Sequence, residues 1–144
     1  MTPENPLTKI ETDWLKRWNL YAPQNIAITD GDTGRNINYA ELYRMSLIGA
    51  EKLKRDFGVE CGDRVAVLSM NEPEYVAMFF AAQRLGAILV PINYRLTGPE
   101  IEHILTDCSP KLLVVQSDFM AAVENTSKTS RPKHILAMTG PGSW

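Results

Sequence analysis

Few side chains in this sequence have both the type and the spacing for chemistry, and the first group sits at a corner. From Val65 to Val76 the chain reads VAVLSMNEPEYV, an apolar strand, a small polar turn and a helix start. Such a corner holds phosphate when glycines let backbone amides approach and the helix N-terminus is free of carboxylates. Here the turn is Asn71-Glu72-Pro73-Glu74, with no glycine, one amide lost to proline and two carboxylates near the helix dipole. The expectation is a plain helix start, with Pro73 in the first turn behind an Asn or Glu cap. Ser69 follows the same strand, but Leu68-Ser69-Met70 lacks the glycines of a nucleophile elbow. Glu100 and His103 share a helical face at a spacing that serves paired metals when other helices add ligands. The only other histidine is His134, so a surface pair is expected instead. The terminal TGPGSW has glycines but neither a lysine nor a following helix. Cys61 and Cys108 match no metal spacing and are read as reduced thiols. The residues alone therefore assign no catalytic, cofactor-binding or metal-binding side chain.

Composition narrows the classes further. The 144 residues carry 15 basic and 17 acidic side chains, a net charge of −2, so neither nucleic acid nor an anionic membrane is an expected partner. The basic cluster Lys128, Arg131, Lys133 and His134 has no interleaved aromatics and reads as a solvated loop. MTPENPLTKIETDW shows no secretory pattern, and the longest apolar stretch, Tyr75 to Ala82, is too short to span a bilayer. A cytoplasmic location is expected, and the Asn125-Thr126-Ser127 sequon is read as incidental.

The elements that must position these groups follow from periodicity. Ile10, Trp14, Trp18 and Tyr21 mark one face of an opening helix that Pro23 closes. IAIT and RNINY flank DGDTG, which predicts a hairpin. Asn38 and Glu41 predict a capping box, Ile37 and Leu42 a hydrophobic staple. Tyr43, Leu47, Ala50, Leu53 and Phe57 give the helical face that follows, and Gly58 the stop. RVAVLSM, AILVPIN, KLLVVQS and HILAM are strands whose apolar runs suit a sheet covered on both faces. Between them lie helices from Pro73 to Leu85, from a Thr97/Glu100 capping box along Ile101, Ile104, Leu105 and Cys108, and from Phe119 to Asn125. Tyr75, Met78, Phe79 and Phe80 read as packing, and they predict a helix buried nearly all round. The fold class is α/β: an open, mainly parallel sheet with flanking helices, preceded by a helix and a β-hairpin, one unit over residues 1–144.

Taken in order, INYAEL, then GDRVAVLSMNEPEYVAMFFAAQRLGAILVPINYRLTGPEIEHIL, then KLLVV resemble the N-terminal region of the AMP-forming acyl-CoA synthetases. The likeness runs from about Trp14 to Met138. It implies the first part of that family's large domain and a parent enzyme that activates a carboxylic or fatty acid as an acyl-adenylate, then joins it to coenzyme A. ATP, Mg and coenzyme A are implied for that full-length enzyme and none for this chain. The family's Ser/Thr/Gly-rich phosphate loop, its adenine-binding segments and its C-terminal lysine are expected beyond the matched region. The chain alone is accordingly expected to be inactive, with the remainder of the ligase as its partner. Apolar surface left by a divided sheet would favour a homo-oligomer. The alternatives are a stand-alone small-molecule-binding module and a regulatory module that docks onto an intact ligase.

Overall fold

The computed structural model describes residues 13–138, so Ile10 of the opening helix and the terminal TGPGSW lie outside the described residues. In chain order the elements are α1 Trp14–Tyr21, β1 Ile26–Thr29, β2 Asn36–Asn38, α2 Tyr39–Phe57, β3 Arg64–Leu68 and α3 Pro73–Leu85. They continue with β4 Ile88–Ile92, α4 Gly98–Cys108, β5 Leu112–Gln116, α5 Met120–Glu124 and β6 His134–Met138. β1 and β2 form the antiparallel hairpin. The other four strands form one parallel sheet in the order β4-β3-β5-β6.

Each face of that sheet buries a separate core. Val65 and Val67 of β3 and Leu112 and Val114 of β5 point toward α2 and α3, where they meet Leu53, Met78 and Ala81. Their alternates Ala66, Leu68, Leu113 and Val115 meet Ile101 and Leu105 of α4 and Val123 of α5. The two central strands are therefore apolar at successive positions, because both of their faces are covered. Pro91 lacks an amide for a ladder, and it sits in β4, at one edge of the sheet. Gly86 ends α3 at φ 67°, a left-handed backbone conformation that favours glycine, and a Cβ there would come within 2.9 Å of Cys61 Sγ, which would have to turn away.

The local helix signals hold with particular exceptions. Asn38 caps α2 by accepting from the Glu41 amide at 2.8 Å, and Ile37 and Leu42 are buried in one cluster. The Glu41 side chain turns to Arg35, at 3.3 Å. On α4, the Thr97 amide and hydroxyl both donate to Glu100, at 2.8 and 2.7 Å. α1 is rotated from expectation: Leu15 is its buried residue, while Trp14, Trp18 and Tyr21 are exposed. Leu15 packs in one buried cluster with Ile37, Leu42 and Ala77, on β2, α2 and α3. Trp18 stacks on Tyr39 instead, with ring centroids 5.6 Å apart.

α2 is also turned, so that Leu42, Met45, Ser46, Gly49, Ala50 and Leu53 are buried and Leu47 is exposed. Small residues on this face let α2 approach α3, which presents Ala77, Ala81 and Ala82. α3 is thus sandwiched between α2 and the sheet, which accounts for most of its apolar circumference; Phe79 remains exposed. Arg84 locks the layer: its Nε donates to Ser46 Oγ at 3.2 Å, its guanidinium lies 4.5 Å from the Tyr43 ring centroid, and it pairs with Asp13, the N-cap of α1. No helix among the described residues is long and apolar enough to cross a membrane.

The turned face of α2 gives a direct check by urea denaturation. Leu53, 1% exposed, should lose about 2–5 kcal/mol of stability on substitution by alanine. Leu47→Ala, at a position 43% exposed, should change stability by no more than about 0.5 kcal/mol.

Candidate functional site

Ligands of open parallel sheets bind beyond the carboxyl ends of the strands. At that end, past Leu68, Gln116 and Met138, lies a crevice of about 410 Å³. The strands build its floor through one side chain. Gln116 closes β5, and its Oε1 accepts from the Met70 amide at 2.9 Å and lies 3.1 Å from Ser69 Oγ. Its Nε2 donates to Asp118 Oδ2 at 2.9 Å. The exits of β3 and β5 are thereby fixed to each other, and Ser117 Oγ adds β6 by donating to the Met138 carbonyl at 2.8 Å.

The hairpin forms the facing wall. Asp30 organises its turn, with Oδ1 accepting from the Asp32 and Thr33 amides at 2.9 and 3.3 Å and Oδ2 from the Thr33 hydroxyl at 2.6 Å. These bonds, the hydroxyl first, hold the Asp30 carboxyl below the usual range. Arg35 leaves this turn, and its Nη1 donates to Glu74 Oε1 at 2.9 Å while Nη2 donates to Glu41 Oε1 at 3.3 Å. Glu74 lies in the first turn of α3, where the helix dipole also favours its charge.

The lining is strongly acidic. Among the described residues, Asp30, Asp32, Glu72, Glu74 and Asp118 face the crevice against the single guanidinium of Arg35. Burial pushes the Glu72 carboxyl up, and the charges of Glu74, Asp30, Asp118 and Asp32 add to the effect. Glu72 is the N-cap of α3 but makes no side-chain capping bond. A triphosphate does not fit this lining, since its charges would meet carboxylates and a helix start whose first residue is Pro73. Among the described residues, no three His, Cys, Asp or Glu side chains are grouped to hold a metal ion.

The side chains singled out in the sequence fall in several places. Ser69 is buried just past the end of β3, 2.9 Å from the Met70 carbonyl as well as near Gln116, in a structural network. Glu100 is committed to its capping box, and His103 is exposed on α4. His134 packs edge-on against Phe57, with centroids 5.8 Å apart, so the two histidines serve different faces of the sheet. Cys61 and Cys108 are free thiols, and burial pushes the Cys108 thiol up. Arg131 of the basic loop donates from Nη2 to the Glu124 and Thr126 carbonyls and so finishes α5. Thr126 of the sequon is buried, its hydroxyl donating to the Val123 carbonyl at 2.7 Å. Gln116, Asp118 and Arg35 were not anticipated. The available signal was a lone amide closing the otherwise apolar strand LLVVQ.

Across residues 15–142 the chain matches the family described as AMP-binding enzyme. This chain belongs to that family. Among its relatives, indoleacetate–CoA ligase of Aromatoleum aromaticum is 37% identical over 130 residues, 90% of this chain and 25% of the relative. Fatty acid–[acyl-carrier-protein] ligase ScoC of Streptomyces coeruleorubidus is 38% identical over 105 residues, 73% of this chain and 20% of the relative. In structure, the anthranilate CoA ligase AuaEII, solved with anthranoyl-AMP, matches at a TM-score of 0.80 and 30% identity, covering 88% of this chain and 24% of that one. The chain thus spans a fifth to a quarter of the length of these relatives. The α/β sheet and its flanking helices are those of the N-terminal domain of acyl-CoA ligases.

Glu72 provides a pH test. Its folded pKa lies above the unfolded one, so the folded state binds this proton more tightly. The stability it contributes is present below the ordinary Glu range and is lost as pH rises through the folded value. Glu72→Gln should therefore raise the urea midpoint at pH 7, and the gain should shrink toward zero as the wild-type carboxyl is protonated.

Proposed function

We infer that this chain is the N-terminal part of an ATP-dependent, AMP-forming ligase that activates a carboxylic acid and transfers the acyl group to coenzyme A. Within it, these residues supply scaffold. The observation that carries this reading is the match over residues 15–142 in a chain that spans 20–25% of the curated relatives. The acidic lining of the crevice agrees with it, because stabilising charge on a transferring phosphoryl group calls for preorganised cations and donors. The groups that hold ATP and magnesium belong in this reading to the rest of the ligase, which is also the partner. Exposed Trp14, Leu20, Phe79 and Ile88 are surface on which that remainder can pack.

Pyrophosphate release is the test, with ATP, magnesium, coenzyme A and a panel of fatty and aromatic acids. The purified 144-residue chain should give no acid-dependent pyrophosphate above background. Saturable release that depends on both the acid and this polypeptide would contradict the scaffold reading.

A further inference from the structure

The parallel sheet ends in two edges of unlike character. β4 forms one, and its interior Pro91 is of the residue type that keeps an edge from pairing further. β6 forms the other. Among the described residues it pairs with β5 alone, so the backbone groups turned away from β5 meet no strand. Its sequence, HILAM, has no proline and no carboxylate, lysine or arginine, and its register with β5 runs without a bulge. β6 thus lacks the devices that commonly protect an edge.

The side chains mark the same place. Ile135 and Ala137 stand in register with Leu113 and Val115, on the sheet face that α4 and α5 cover. Leu113 and Val115 are fully buried there, whereas Ile135 is 36% exposed and Ala137 is exposed too. The helical cover stops one strand short. We propose that β6 is the interface for a second copy of this chain, pairing antiparallel with its counterpart about a two-fold axis through Leu136. One strand supplies both halves of such an interface, because an antiparallel edge is self-complementary. About that axis Ile135 of each copy stands opposite Ala137 of the other, so the uncovered apolar strip is shared between them. His134 stands opposite Met138, so no like charges meet within the paired strands. Pro91 on the opposite edge stops the pairing at two copies, where a second open edge would let it run on as a fibre. The interface does not rest on the ligase reading, since a chain that releases no pyrophosphate can still dimerise.

Light scattering on the 144-residue chain as it leaves a size-exclusion column, over a dilution series, tests the interface. A mass of two chains that falls to one on dilution is expected. Two double variants read the register. Ile135→Lys with Ala137→Lys sets lysines opposite each other twice and should raise the dimer dissociation constant about tenfold or more. Ile135→Lys with Ala137→Glu sets lysine opposite glutamate at the same positions and should hold that constant within about threefold of the original. Leu20→Lys, on the exposed side of α1, should leave the dimer unchanged. Urea midpoints check that each variant is folded, and if the lysine pair unfolds the chain, Ile135→Glu with Ala137→Glu gives the same reading. A monomer at every concentration would overturn the proposal and leave β6 to a strand of another polypeptide. A dimer that survives the like-charged pair, equal weakening by the like-charged and opposite-charged pairs, or a dimer lost in Leu20→Lys would overturn it as well.

Discussion

The ion pair between Arg35 and Glu74 is the constraint on which the crevice depends. Glu74 is placed by the start of α3 and is buried there, so its charge is tolerable only with a partner and the helix dipole. The partner comes from the hairpin, 39 residues earlier, and its other arm reaches Glu41 in the first turn of α2. One guanidinium therefore fixes three elements relative to one another: the hairpin, α2 and α3. Remove it and a buried carboxylate is left unneutralised, while the hairpin turn loses its side-chain tie to α2 and α3.

The sheet and the pair do different work. Parallel strands covered on both faces create a crevice beyond their carboxyl ends whatever its lining, and Gln116 shapes its floor by joining the loops after β3 and β5. The lining is a matter of loop chemistry. In this chain Asp30, Asp32, Glu72 and Asp118 make it acidic, which separates it from the phosphate-holding corners that similar strand–helix turns can build. Family membership thus describes the frame, and the local charge describes what that frame can hold.

Much of the frame was legible because its signals are local. Gly86, Pro73 and the Thr97/Glu100 pair punctuate helices through backbone geometry and capping bonds, which act over a few residues. The double cover of β3 and β5 was readable from unbroken apolar runs, and the edge position of β4 agrees with Pro91 in its interior. Helix rotation was not legible in the same way. Trp14, Trp18 and Tyr21 share a face of α1, yet Leu15 is buried, because the choice of face depended on the space between Ile37, Leu42 and Ala77. Leu47 was displaced from the core for a similar reason, since α2 approaches α3 along Ser46, Gly49 and Ala50. The crevice was the least legible part: Arg35, Glu74 and Gln116 are far apart in sequence, and only the folded topology brings the first two into contact and sets the third between strands.

A double-mutant cycle at Arg35 and Glu74, read by urea denaturation, tests the account most directly. Arg35→Met, Glu74→Gln and the double variant should yield a coupling energy of at least about 1.5 kcal/mol, as for a buried charge-assisted hydrogen bond. Effects that add to within about 0.3–0.5 kcal/mol would show that the two residues act independently and that the crevice is held by something else.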